Sequence, residues 1–310
     1  LSRSGTHGLH LFIGGEGHPL NESTASVKSF MFFIQQSSDR WASITISGRA
    51  FSWLFTSLLV GPDGEWIRWS TLRKLDVSWC PLAPLNQECH MPASHFPSLQ
   101  VIILNNSSSG ILSWHLPWSQ LKHLSFGRDV ANLGGGLHVL GQCVNLERLV
   151  LISNDSVDVD DASPLNTNVV LPSLLSFKLV IEDFDQPLLT NILPRLLLPR
   201  LQILELHESW PTSDTPPYWT ALDPLLQIVE NSKCDVQDLQ VYFSADEGTV
   251  YREPALNALL RRTQHTLQTL IVEGIRLTGS FLQDFRPGCL EYFEVQEWLL
   301  EAEDEIRLNL

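Results

Sequence analysis

Pro199-Arg200-Leu201-Gln202-Ile203-Leu204-Glu205-Leu206 decides how this chain is read. Leu204 and Leu206 lie two residues apart, so in an extended backbone both point to one face, and that face is apolar. Pro199 has a fixed φ and no N–H, and it biases its predecessor away from helix. It therefore stops any helix that arrives ahead of the strand. The same phrase, Leu-x-x-apolar-x-apolar, returns in Leu146-Glu147-Arg148-Leu149-Val150-Leu151 and in Leu267-Gln268-Thr269-Leu270-Ile271-Val272. Pro97 and Pro172 stand at the matching place before Leu99 and Leu174.

Traced outward, the phrase begins at Trp41, Leu72, Leu99, Leu121, Leu146, Leu174, Leu201, Val236, Leu267 and Leu290. Successive starts are 22 to 35 residues apart, about 28 on average, a period that fits one short strand and one return helix. Single matches are common in a chain that is 44% apolar, so the spacing carries the inference. The intervals support it. Leu222, Leu225, Leu226 and Val229 fall at i, i+3, i+4 and i+7 within 219–232, and Leu256, Leu259 and Leu260 follow Pro254, suited to a first helical position. Leu188, Leu189, Ile192 and Leu193 align within 186–198, whereas Gly134, Gly135 and Gly136 weaken a helix over 130–143.

The predicted fold is α/β: a leucine-rich-repeat-like right-handed solenoid, or horseshoe, with a parallel sheet on the concave side and helices or irregular returns on the convex side. A doubly wound sheet or a barrel also alternates strand and helix, but neither has reason to repeat one phrase. The expected organisation is a single solenoid over 1–310. Residues 1–60 form the N-terminal capping segment and first rungs, 61–287 the repeats, and 288–310 the last rung and acidic cap.

The chain has 310 residues with 20 Lys+Arg against 35 Asp+Glu, a formal charge of −15. Such acidity argues against nucleic-acid binding, which draws its affinity from clustered cations. The imbalance is local: residues 1–127 carry 8 basic and 7 acidic residues, leaving 12 and 28 for residues 128–310. Five scattered cysteines without a C-x-x-C pair indicate reduced thiols, with no disulfide framework. Cys80, Cys89, His90 and His95 are the nearest approach to a ligand set, but they share a segment with Pro81, Pro84 and Pro92, and no metal is expected. The uncharged run over 50–62 is too short to span a membrane, and the first ten residues lack a signal-peptide core. A cytoplasmic or nuclear location, with no membrane partner, follows as the expectation.

Leu1-Ser-Arg-Ser-Gly5, Gln36-Ser-Ser-Asp-Arg-Trp41-Ala-Ser-Ile-Thr-Ile46, Leu171-Pro-Ser-Leu174 and Val229-Glu-Asn-Ser-Lys-Cys234, taken with the repeats, resemble the region that follows the F-box in fungal F-box/leucine-rich-repeat proteins. The resemblance spans nearly the whole chain. It implies a substrate-recognition part of an F-box type ubiquitin ligase, with a protein captured on the concave face. Docking to a cullin-RING ligase adaptor is implied only if an F-box precedes Leu1, since none is recognisable between Leu1 and Trp41. A free-standing repeat scaffold or inhibitor is the alternative.

No G-x-S-x-G elbow, P-loop, G-x-G-x-x-G fingerprint or H-E-x-x-H helix occurs, so neither an enzyme nor a cofactor is expected. Residues between the core-facing positions of each strand become the candidate protein contacts: Lys74, Asp76, Trp79, His123, Arg148, Lys178, Glu205, His207, Tyr242, Glu273 and Tyr292. Seven tryptophans fall within residues 41–118 and are assigned mainly to the core, with Trp79 as the exception beside a strand end.

Overall fold

The computed structural model describes residues 8–14, 25–47, 58–59, 61, 65, 67–78, 93–105, 116–127, 133–153, 168–181, 192–209, 221–243, 249–275 and 288–296. The chain forms two compact units, Leu1–Leu146 and Glu147–Leu310.

In the first unit five strands pair in chain order, all parallel: β1 (Leu9–Gly14), β2 (Trp41–Ser47), β3 (Lys74–Ser78), β4 (Val101–Leu104) and β5 (His123–Gly127). Helix α1 (Ala25–Gln36) crosses from β1 to β2, where the indole N–H of Trp41 donates to the carbonyl of Ile34 at 3.1 Å. Helix α2 (Leu133–Gln142) follows β5. In the second unit β6 (Arg148–Ser153), β8 (Ser176–Ile181), β10 (Ile203–Glu208), β11 (Asp238–Phe243), β12 (Thr269–Glu273) and β13 (Tyr292–Gln296) pair in that order, again parallel. Two short strands, β7 (Val169–Val170) and β9 (Leu196–Leu197), pair with each other beside it. Helices α3 (Leu222–Ser232) and α4 (Thr249–Thr263) are the crossovers flanking β11, and they pack together.

The apolar positions of the recurring phrase supply the core. Leu72, Leu75 and Val77, Leu99, Ile102 and Leu104, and Leu201, Leu204 and Leu206 are all buried, as are their counterparts in β2, β5, β6, β8, β11 and β12, while those of the last strand, Leu290, Phe293 and Val295, are half-buried. Of the tryptophans, Trp41, Trp69 and Trp118 are buried core residues, while Trp53, Trp66, Trp79 and Trp114 lie outside the described residues. The residue just before the first leucine is repeatedly polar and spends its side chain on main-chain carbonyls of the preceding turn. Thr71 donates to Asp39 and Trp41, Ser98 to Ser70, Gln120 to Phe96 and Leu99, Asn145 to Ser119, and Thr266 to Val236. These bonds satisfy carbonyls that a turn leaves unpaired.

The horseshoe is not what the chain builds. Within each unit the sheet is parallel and uncurled, and the described returns are not copies of one unit. Among the described residues there are four long helices. Elsewhere the described parts of the returns hold 3-10 turns, at Ala93–His95, Trp118–Gln120 and Leu193–Arg195. The physical reason lies in widths: a helix is about 10 Å across and strands are about 4.8 Å apart, so a helix behind every strand wedges the sheet into a curve. Returns made of a 3-10 turn supply no such wedge. The resemblance to F-box/leucine-rich-repeat proteins, which rests on regular repeats, is therefore overturned, and so are ubiquitin-ligase substrate recognition and a protein partner seated on a concave face.

Smaller expectations also change. Helix α4 starts at Thr249, so Pro254 sits inside it and not at its first position. The helix expected over 186–198 gives way, from Ile192 onward, to a 3-10 turn and strand β9. The glycine-weakened segment does form α2 over Leu133–Gln142. No helix among the described residues is long and apolar enough to cross a membrane.

Candidate functional site

In a parallel sheet of fixed register, residues facing away from the core line up in rows across the strands. The second unit carries three. Arg148, Ser176, Ile203, Asp238, Thr269 and Tyr292 form the first, Val150, Lys178, Glu205, Gln240, Ile271 and Glu294 the second, and Ile152, Val180, His207, Tyr242 and Glu273 the third. The alternating burial of β8, β10 and β11 shows why these side chains are available: Phe177, Leu179, Leu204, Leu206, Leu239 and Val241 take the other face.

Lys178, Glu205, His207 and Tyr242 meet across β8, β10 and β11. The Lys178 ammonium donates to Glu205 Oε1 at 2.5 Å, and His207 Nε2 lies 2.5 Å from that same oxygen and 3.0 Å from Lys178 Nζ. The carboxylate selects a protonated Nε2, because a bare nitrogen would bring two lone pairs together at that distance. His207 therefore donates to Glu205. Its ring stacks on Tyr242, with centroids 4.3 Å apart and an interplanar angle of 28°. The Tyr242 hydroxyl donates to Gln240 Oε1 at 3.1 Å, and the Gln240 amide donates to both carboxylate oxygens of Asp238 at 3.1 Å.

Electrostatics follow from this packing. Burial works against the ionised form of Glu205, but hydrogen bonds from Lys178 and His207, reinforced by their charge, hold its carboxyl below the usual carboxylate range. The Tyr242 phenol is pushed upward, first by burial and then by the negative fields of Glu205, Glu273, Asp238 and Glu294. At the far strand Tyr292 donates to Glu294 Oε2 at 2.5 Å, which raises its phenol as well. A carboxylate held below its usual range is a weak base, so the cluster suits electrostatic recognition better than proton transfer.

No protein-family model matches the chain, and neither does any curated protein. The assignment of a role therefore rests on the geometry.

The outward face of the first unit is plainer. Its rows are His10, Ser43, Lys74, Val101 and His123, then Phe12, Thr45, Asp76, Ile103 and Ser125. Lys74 Nζ pairs with Asp76 Oδ2 at 3.2 Å along one strand, His10 Nδ1 lies 2.6 Å from Ser43 Oγ, and Ser125 Oγ donates to Asn105 Oδ1 at 2.8 Å.

Of the residues singled out from sequence, Lys178, Glu205, His207 and Tyr242 are brought into one cluster, with Glu273 beside Tyr242 in the same row. Tyr292 and Arg148 lie on the outermost strands of the second unit, both exposed, and Lys74, Asp76 and His123 belong to the first. Trp79 lies outside the described residues, as do Cys80, Cys89 and His90. Among the described residues no group of three or more His, Cys, Asp or Glu is placed to hold a metal. Lys178, expected from sequence as one of the protein contacts, is paired with Glu205. The signal was available, since both occupy the same slot of the recurring phrase and so the same row.

Proposed function

We propose that the protein is a non-catalytic binding module, with no cofactor, whose working surface is the outward face of β8 to β13. Its ligand presents an organic cation, an ammonium or guanidinium group. One observation carries this reading: the strand register places Tyr242 beside Glu273 in one outward row, with Glu205 and Glu294 in the row next to it and Asp238 on the same strand, so the ring shares its face of the sheet with four carboxylates. An aromatic ring among carboxylates attracts a cation both through its face and through direct ion pairing. The local charge agrees, since residues 128–310 hold 28 acidic against 12 basic residues.

A titration of spermine, followed by calorimetry with citrate as the anionic control, tests the reading. Saturable spermine binding is expected, weakened about fivefold by Glu273→Gln with Glu294→Gln, which corresponds to roughly 1 kcal/mol of lost ion pairing. Spermine binding no better than citrate, or unchanged in that double variant, overturns it.

A reducing compartment, cytoplasmic or nuclear, is part of the same proposal. Cys143 and Cys234 are buried, free thiols, and burial pushes them up to about 12 and about 11, respectively. They act as packed apolar groups and have little thiolate with which to form disulfides.

A further inference from the structure

β12 leaves its outward side chains uncommitted while those on either side are tied together. Thr269, Ile271 and Glu273 stand in the three rows, all half-buried, and Glu273 makes no hydrogen bond or ion pair among the described residues. On β11 the Tyr242 hydroxyl is bonded to Gln240, and on β13 the Tyr292 hydroxyl is bonded to Glu294. These longer side chains flank a trough along β12, with Ile271 as its apolar floor and Glu273 at one end.

The end at Glu273 has a flat wall. His207 and Tyr242 fill matching positions of β10 and β11, and their rings stack with centroids 4.3 Å apart. That separation is close to the spacing of about 4.8 Å between strands, so the stack runs across the sheet. The second face of Tyr242 is therefore turned to β12, where Glu273 occupies the same row. A planar guanidinium continues such a stack and still presents its in-plane N–H groups to a carboxylate, whereas an ammonium is compact and strongly hydrated. A second carboxylate stands diagonally across Ile271. Glu294 is one strand over from Glu273 and two residues back, about 8 Å away by strand geometry.

We propose that this trough binds a small dication, a guanidinium and an ammonium joined by a short methylene chain. The guanidinium lies on Tyr242 and pairs with Glu273, the methylenes cover Ile271, and the ammonium reaches Glu294. The inference rests on the reading of the outward face as a cation-binding surface and specifies the cation. Free arginine fits less well, because its own carboxylate comes beside Glu294, and like charges in contact repel. An arginine within a peptide brings only a neutral amide to that end.

Calorimetric titration of the full chain with agmatine, cadaverine, L-arginine and N-acetyl-arginine amide tests this. Agmatine is expected to bind at least about fivefold more tightly than each of the others, which respectively lack the guanidinium, carry a carboxylate and lack the second cation. Tyr242→Leu, with an unchanged circular dichroism spectrum, should bring agmatine within about twofold of cadaverine. Ile271→Lys, which lays a competing ammonium in the trough, should weaken agmatine at least about tenfold and supplies the answer if Tyr242→Leu fails to fold. Spermine titrated in parallel separates this inference from the reading beneath it. Spermine that binds while agmatine fares no better than cadaverine or the acetylated amide, or a preference for agmatine that survives Tyr242→Leu, overturns the inference alone. If neither spermine nor agmatine binds, both fall.

Discussion

The two units build their cores from the same recurring phrase and dress their outer sides differently. In the first, the outward rows are filled by Ser43, Thr45, Val101, Ile103 and Ser125, and the charged pair Lys74–Asp76 lies along a single strand. In the second, Lys178 and Glu205 occupy the same row on neighbouring strands, and His207 and Tyr242 extend the contact across a third. A pair on one strand ties that strand only to itself. A pair across strands fixes register and brings several polar groups together. The difference between a plain surface and an organised site is thus one of slot occupancy: long polar side chains at matching positions of successive strands.

If the units share one core logic, damage to it should be equally severe in both. Leu75→Asp in the first unit and Leu204→Asp in the second each bury a carboxylate without a partner, at a cost of about 3 to 5 kcal/mol. Both should abolish or sharply lower the cooperative thermal transition, and a large effect in only one would break the equivalence. Next in size is Gly274→Ala at the end of β12. Gly274 has φ of 70°, and an added Cβ would lie 1.9 Å from the Phe243 carbonyl oxygen, so the backbone must move. The expected loss is about 2 kcal/mol or more by denaturant titration, confined to the second unit.

The outer faces are compared by paired neutralisation. Glu205→Gln is expected to cost about 1 to 2 kcal/mol at neutral pH, because Lys178 and His207 both lose their charged acceptor, while Asp76→Asn should stay within about 0.5 kcal/mol. Acid sharpens the contrast. The Glu205 carboxyl is lowered on folding, so its contribution is complete above the ordinary glutamate range and is lost as pH falls through the depressed folded value. The acid limb of a stability profile should therefore be shallower in Glu205→Gln than in the wild type. The smallest expected effect is a gain. Lys233 closes α3 in the left-handed region at φ of 52°, its N–H bonded to the Val229 carbonyl, and Lys233→Gly should stabilise by up to about 1 kcal/mol.

The strands and the core were legible in the sequence because a period of two, anchored by leucine, is set by local geometry. Leu146, Leu149 and Leu151 are buried because no other face of that strand could accept them. The curvature was not legible. It depends on how much bulk stands behind each strand, and an interval of 22 residues between Leu99 and Leu121 accommodates a helix or 3-10 turns with equal ease; its described part holds a 3-10 turn at Trp118–Gln120. Pro254 misled for a related reason: the first turn of a helix tolerates proline, but an interior site at the cost of one hydrogen bond does so too when Leu256, Leu259 and Leu260 are held by packing. The cluster around Glu205 was present as separate residues and became a site only once the register fixed which ones were neighbours.

Parallel pairing in chain order has a bearing on how the protein is made. Within each unit every long strand finds its partner in the next or the previous one along the chain, so a segment leaving the ribosome can dock onto what has already emerged without waiting for the C-terminus. Synthesis and assembly can run in the same direction, and a nascent chain halted after Phe243 already holds every partner that β8 and β10 require.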